Sequence, residues 1–144
     1  MTVMTQVIAR LIFPASLAIA AAMLVKGYID TGDGFSAGVI AAIGVVLQYM
    51  AFGYQTVKQT IPVRFAPIGM VIGLLLSLTV AFVPAILGQD IFTHAPPPGG
   101  ELIHLGSLEV HTAVLFDVGV FLIVFGFIVQ AMSMIAQIVE RRVL

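Results

Sequence analysis

Four long apolar runs, separated by short polar segments, make up most of this chain of 144 residues. They cover about residues 7–25, 35–52, 67–87 and 110–139. A helix needs roughly 20 mainly apolar residues to cross a bilayer, and the fourth run exceeds that length. The pattern therefore predicts an all-α integral membrane protein with four transmembrane helices, folded as one domain over residues 1–144. Residues 88–109, which contain "HAPPPGGE", are expected to form an exposed loop.

The composition agrees with a membrane protein. Hydrophobic residues make up 60% of the chain, charged residues 9%, and the mean hydropathy is +1.15. A soluble domain carries about 25% charged residues, so this chain could not cover a globular surface and lipid must be its main solvent. A net charge of −1 without a basic stripe excludes a typical nucleic-acid-binding protein.

Basic residues are concentrated on one side of the predicted membrane topology. With four spans, the side that holds both termini contains Arg10, Lys58, Arg64, Arg141 and Arg142. The other side contains only Lys26. Loops rich in Lys and Arg stay in the cytoplasm, so we expect both termini to be cytoplasmic.

Small residues line one face of several predicted helices. On the second span, a single face carries Gly34, Ala37, Gly38, Ala41, Gly44 and Gln48. The third span has Gly69, Gly73 and Ser77 at intervals of four, and the fourth has Gly126, Gln130, Ser133 and Gln137 on one face. Small residues are frequent in membrane helices generally, but three such faces favour close packing with one another or with other subunits.

The stretch "DTGDGFSAG", residues 30–38, places carboxylates and glycines at the start of the second span. It lacks the Lys of a phosphate-binding loop and the ligand number of a calcium loop. We interpret it as a tight turn followed by a helix start, with Gly32 and Gly34 free to adopt positive φ. Thr31 or Asp33 is expected to cap the first N–H groups of the helix.

Asp117 is the clearest functional candidate, because it lies within the fourth apolar run. Ionisable groups at membrane depth are costly and often belong to ion pathways. Asp117 could take part in a cation or proton route, with His111 and Glu109 at the outer mouth of the same helix. Alternatively, it could be a buried carboxylate that bonds a neighbouring helix. The sequence contains no catalytic constellation and no metal-ligand spacing, so we expect neither an enzyme nor a metal or cofactor site.

Two segments resemble one known family. "KGYIDTGDGFSAGVIAAIGVVLQYMAFG", residues 26–53, is similar to the region of the first two helices in MnhB/MrpB subunits of the multi-subunit Mrp Na⁺/H⁺ antiporters. "HLGSLEVHTAVLFDVGVFLIVFG", residues 104–126, is similar to the last helix of that family. The matching positions are Gly27, Gly32, Gly34, Phe35 and Gly38 in the first segment, and Leu115, Phe116, Asp117, Gly119 and Val120 in the second.

The first segment also departs from the family's usual motif. Tyr28 replaces a His, Ile29 an Asn, Thr31 a Pro, and Asp33 a central Gly. A role assigned to that His therefore cannot be transferred to this chain. Asp33 adds a charge that the usual motif lacks.

The resemblance implies a small subunit of a hetero-oligomeric antiporter that lies in the cell membrane and exchanges cytoplasmic Na⁺ for external H⁺. Its partners would be other membrane subunits, and this subunit would pack against them and line or brace the cation region. Two alternatives remain open. The chain could belong to a redox-driven ion pump that uses a related membrane module, or it could be a purely structural assembly subunit.

Overall fold

The computed structural model describes residues 2–26, 33–86, 88, 103–105, 108–110 and 112–144. The helices are α1 (Val3–Lys26), α2 (Gly34–Phe52), the single-turn α3 (Tyr54–Val57), α4 (Ile61–Ile86) and α5 (Thr112–Val143). Four of them are long and apolar enough to cross a membrane. The predicted class, an all-α membrane protein with four spans, is therefore confirmed.

Two of the helices begin earlier than the apolar runs suggested. The first predicted span began near residue 7, whereas α1 begins at Val3; the third began near residue 67, whereas α4 begins at Ile61. The added turns include or approach charged residues, as at Arg64. An apolar run marks the part of a helix that lies inside the membrane. The helix itself extends as far as its backbone hydrogen bonds continue.

The segment expected to be a loop contains a short hairpin. Strands β1 (Ile103–Leu105) and β2 (Leu108–Val110) pair antiparallel, with Ile103 opposite Val110. The strands are only three residues long and directly precede α5. They are the one departure from helical structure among the regular elements of the described residues.

The four long helices form a single row in the order α1, α2, α5, α4. The outer helices α1 and α4 each make their main contact with one inner helix, α2 and α5 respectively. Helix α2 runs antiparallel to α1 and parallel to α5, and α4 runs antiparallel to α5. Because the row does not close into a bundle, apolar side chains are exposed on both of its broad faces, such as Phe65 and Leu74 on opposite sides of α4.

The small-residue face of α2 is divided between two neighbouring helices. Gly44 lies against Ser16 of α1, and the Gln48 amide Nε2 donates a hydrogen bond of 2.6 Å to the Ala9 carbonyl. In contrast, a Cβ at Gly38 would lie 3.0 Å from the Phe121 carbonyl oxygen of α5. The small-residue face of α2 thus contacts α1 on one side and α5 on the other.

Helices α4 and α5 approach each other through glycines on both sides. A Cβ at Gly73 of α4 would lie 2.7 Å from the Gly119 carbonyl oxygen of α5. A Cβ at Gly126 would lie 2.7 Å from the Ala66 carbonyl oxygen. Side chains at these positions would separate the two backbones, so the contact depends on glycine.

A test of the α2–α5 contact is the substitution Gly38→Leu. We expect it to lower the stability of the protein in mild detergent by about 1–3 kcal/mol, because the new side chain would overlap α5. The measurement is the midpoint of thermal unfolding. Ile43→Leu on the exposed side of the same helix is the matched control and should leave the midpoint unchanged. Equal midpoints for the two variants would contradict the packing described here.

Candidate functional site

The site is centred on Asp117, in the second turn of α5. Its side chain is only 6% exposed and lies where α5 packs against the start of α2. Ser16 and Ser77 are the other buried polar residues among those described, and both are neutral. Asp117 is therefore the one buried acid among the residues whose burial the structure describes.

Asp117 caps α2 from a neighbouring helix. The backbone N–H of Gly34, the first residue of α2, donates a buried hydrogen bond of 2.8 Å to Asp117 Oδ1. The first N–H groups of a helix have no partner within the helix, and the helix dipole makes this end positive. A carboxylate placed here satisfies one free donor and faces a favourable potential, which lowers the cost of its burial.

Gly34 is required at this contact by the closeness of the two backbones. A Cβ at Gly34 would lie 2.6 Å from Asp117 Oδ1 and would also collide with the Asp117 carbonyl oxygen. Any larger residue would push the start of α2 away from α5. The glycine of the first family motif and the aspartate of the second therefore form one structural unit.

The capping expected from the preceding residues is not made by Asp33. Its side chain forms no cap hydrogen bond, and its backbone has helical angles (φ −87°, ψ 0°) rather than the extended ones of most N-caps. Asp33 Oδ2 instead lies 3.5 Å from Lys26 Nζ, at the end of α1. Thr31 and Gly32, the other residues named for this turn, lie outside the described residues.

Of the two other candidates for an ion route, Glu109 alone is among the described residues. Glu109, expected at the outer mouth of the same helix, lies in β2, opposite His104 and before α5 begins at Thr112. His111 lies outside the described residues.

The remaining residues of the family motifs have different surroundings. Phe35 is 60% exposed and belongs to neither apolar core cluster of the described residues. Gly119 lies against the Ser77 hydroxyl of α4. Gly44 and Gln48 contact α1, as described above.

The sequence singles out Gly34 and Asp117 separately and does not indicate that they form a pair. Both residues lie near the start of their helices and within the two segments that resemble a family motif. That shared position was the sequence feature that could have pointed to a contact between them. A second group was missed as well: Tyr54, Lys58, Arg64 and Ser133 line one cleft. Lys58 and Arg64 had been counted only for topology.

These features define a multi-pass membrane protein whose helices form one open layer, with an acid that joins the two inner helices. The sequence profile of the family described as "Domain related to MnhB subunit of Na+/H+ antiporter" matches residues 4–130. The chain belongs to this MnhB family.

Individual relatives agree with that assignment. The chain is 35% identical over 124 residues to the A/B subunit of a probable K⁺/H⁺ antiporter of Rhizobium meliloti, covering 83% of this chain but only 12% of that protein. It is 30% identical over 115 residues to the B subunit of a Na⁺/H⁺ antiporter of Bacillus subtilis, covering 80% and 79% of the two chains. The corresponding Na⁺/H⁺ antiporter protein of Alkalihalophilus pseudofirmus is 27% identical over 135 residues, covering 94% and 92%.

The Gly34–Asp117 contact can be tested with Gly34→Ala. We expect this substitution to destabilise the protein by about 1–3 kcal/mol, because the methyl group would displace the Asp117 carboxylate and leave a buried hydrogen bond unmade. Thermal unfolding in mild detergent measures the effect. Ser36→Ala, on the exposed side of the same helical turn, is the control. If both variants unfold at the same temperature, the close contact is absent.

Proposed function

We propose that this protein works as a small membrane subunit of a multi-subunit Na⁺/H⁺ antiporter in the cell membrane. Membership of the MnhB family, over nearly the whole chain, is the observation that carries the proposal. The relatives are named as antiporter subunits rather than as enzymes. Their names differ in the cation, K⁺ in one and Na⁺ in the others, and the two relatives that match over most of their length favour Na⁺.

The open row of helices supports a role inside a larger assembly. A transporter must surround its substrate with polar groups, and a single layer of helices encloses no such path by itself. The layer instead offers two broad faces to lipid and to other subunits. We infer that at least one face packs against a partner membrane protein of the same complex.

Two roles for Asp117 follow from its position. In the first, the carboxylate belongs to the cation or proton route, together with Glu109 and His111 near the outer end of α5. In the second, it is a structural anchor between α5 and α2, and the hydrogen bond from Gly34 favours this role. The two are compatible, because an anchored carboxylate can still face a hydrated path formed with a partner.

The alternative of a redox-driven ion pump differs in its partners. In that case a complex purified through this chain would contain subunits that bind quinone, ferredoxin or metal clusters. An antiporter would contain only membrane transport subunits. The names of the relatives favour the antiporter.

Charge supports an orientation with both termini in the cytoplasm. Arg10 lies over the Phe52 ring at the end of α2, so the start of α1 and the end of α2 share one side. Lys58 and Arg64 follow directly at that side, and the last turn of α5 adds two arginines. Lys26 lies at the opposite end of the row, next to the start of α2. This asymmetry fits the positive-inside rule.

The role of Asp117 is tested by Asp117→Asn and Asp117→Glu. If the charge serves an ion route, Asp117→Asn should reduce Na⁺/H⁺ exchange in membrane vesicles at least about tenfold per assembled complex, and Asp117→Glu should retain part of the activity. Asn can still accept the Gly34 hydrogen bond, so assembly should persist.

Asp33→Asn, which removes a carboxylate from the same end of the row, is the matched control and should exchange normally. The amount of assembled complex is measured in parallel by size-exclusion chromatography. Normal exchange per complex in Asp117→Asn would remove this residue from the ion route and leave it the anchoring role alone.

The orientation is tested by labelling single cysteines in the naturally cysteine-free chain. One cysteine replaces Gly99, in the segment between α4 and α5, and another replaces Leu144. A membrane-impermeant thiol reagent added to intact cells should label only the first, since the C-terminus is expected in the cytoplasm. Labelling of the second alone would reverse the orientation.

A further inference from the structure

A polar cleft lies at the end of the row that carries most of the basic residues. It has a volume of about 630 Å³ and is formed where α3 and the start of α4 meet α5. Its lining consists of Tyr54, Lys58, Gln59, Val63, Arg64 and Ser133. Neither the anchoring of Asp117 nor the packing of the helices explains this group.

The chemistry of the cleft suits an anion. Lys58 and Arg64 supply two positive charges, and no carboxylate belongs to the lining residues. Glu140 is the one acid at this end among the described residues, and its Oε2 accepts a hydrogen bond of 3.0 Å from Gln55 Nε2. Arginine and lysine together with hydroxyl and amide donors form the usual environment of a phosphate group.

The cleft lies at the level where a membrane helix ends. Helices α2 and α4 are both long enough to cross the membrane, and α3 with residues 58–60 connects them. Lys58 Nζ is held 5.2 Å from the centre of the Tyr54 ring, which keeps the cation beside the cleft. A phosphate bound here would therefore be at the depth of lipid headgroups.

An apolar stripe continues from the cleft into the membrane. On the side of α4 where Val63 and Arg64 line the cleft, the helical repeat places Val71, Leu74 and Leu78 further along the helix. Each of these three side chains is at least 45% exposed. A cation at the surface with an apolar stripe below it matches the two parts of a phospholipid.

We propose that this cleft binds the phosphate of an anionic phospholipid, with Lys58 and Arg64 as its charged ligands and the stripe of Val71, Leu74 and Leu78 against the acyl chains. The inference uses the membrane fold and the charge distribution, and it does not depend on which ion the complex transports.

The test uses the assembled complex, purified through a tag on this chain and placed in nanodiscs of phosphatidylcholine. A trace of phosphatidylglycerol with a photoactivatable headgroup is added, and the labelled peptides are identified by mass spectrometry. We expect labelling of the segment 54–64. The double variant Lys58→Gln/Arg64→Gln should reduce it at least about fivefold, because each cation near the surface contributes about that factor to the attraction of anionic lipid.

The matched control is Arg141→Gln/Arg142→Gln, which removes two charges from the same end of the protein but outside the cleft. It should leave the labelling of segment 54–64 unchanged. If both double variants lose the labelling of segment 54–64 equally, general surface charge explains the effect and the proposal is overturned. Equal labelling by a phosphatidylcholine probe would overturn it as well.

Two further arms distinguish other occupants of the cleft. Inorganic phosphate, compared with chloride at equal ionic strength, should not displace the lipid; displacement by phosphate alone would identify a site for the free anion. Zero-length carbodiimide cross-linking should not join Lys58 to another protein of the complex. A cross-link to a partner's carboxylate would mean that protein fills the cleft, and the lipid proposal would be wrong.

Discussion

The contact between the Gly34 amide and the Asp117 carboxylate is the constraint around which the two inner helices are arranged. It fixes the start of α2 against the second turn of α5, with no space for a Cβ between them. A charge buried in a membrane protein needs hydrogen-bond donors, and the free N–H groups of a helix start are available donors. The remaining contacts of α2 then follow along its length, first with α5 at Gly38 and later with α1 at Gly44.

The arrangement in one layer explains why the protein needs other subunits. In lipid, the hydrophobic effect does not bring helices together, so they associate only where small residues permit close backbones. The small residues described here lie at the contacts of α1 with α2, α2 with α5, and α5 with α4. The broad faces of the row carry large apolar side chains, which suit lipid or the surface of a partner.

The two ends of the row differ in charge and therefore in the functions that they can serve. At one end, acids and their partners lie close to the helix starts, as in the pairs Lys26–Asp33 and Gly34–Asp117. At the other end, the cleft around Lys58 and Arg64 is cationic. The two proposed roles divide in the same way, with the carboxylate of Asp117 at one end of the row and the lipid-binding cleft at the other.

The sequence by itself determined the membrane class, the number of spans and the family, because apolar run length and short motifs are local properties of the chain. It also identified Asp117 as unusual, since a charge within an apolar run is visible without coordinates. It did not determine the partner of that charge. The cap was expected from Thr31 or Asp33; Thr31 lies outside the described residues, Asp33 makes no side-chain cap hydrogen bond, and Asp117, far along the chain, accepts the hydrogen bond of the first helical N–H. The order of helices in the row and the cleft were likewise decided only by tertiary structure. Both depend on which small-residue faces of the helices pack against each other. A face of small residues can pack against more than one helix, so the sequence alone does not select its neighbour.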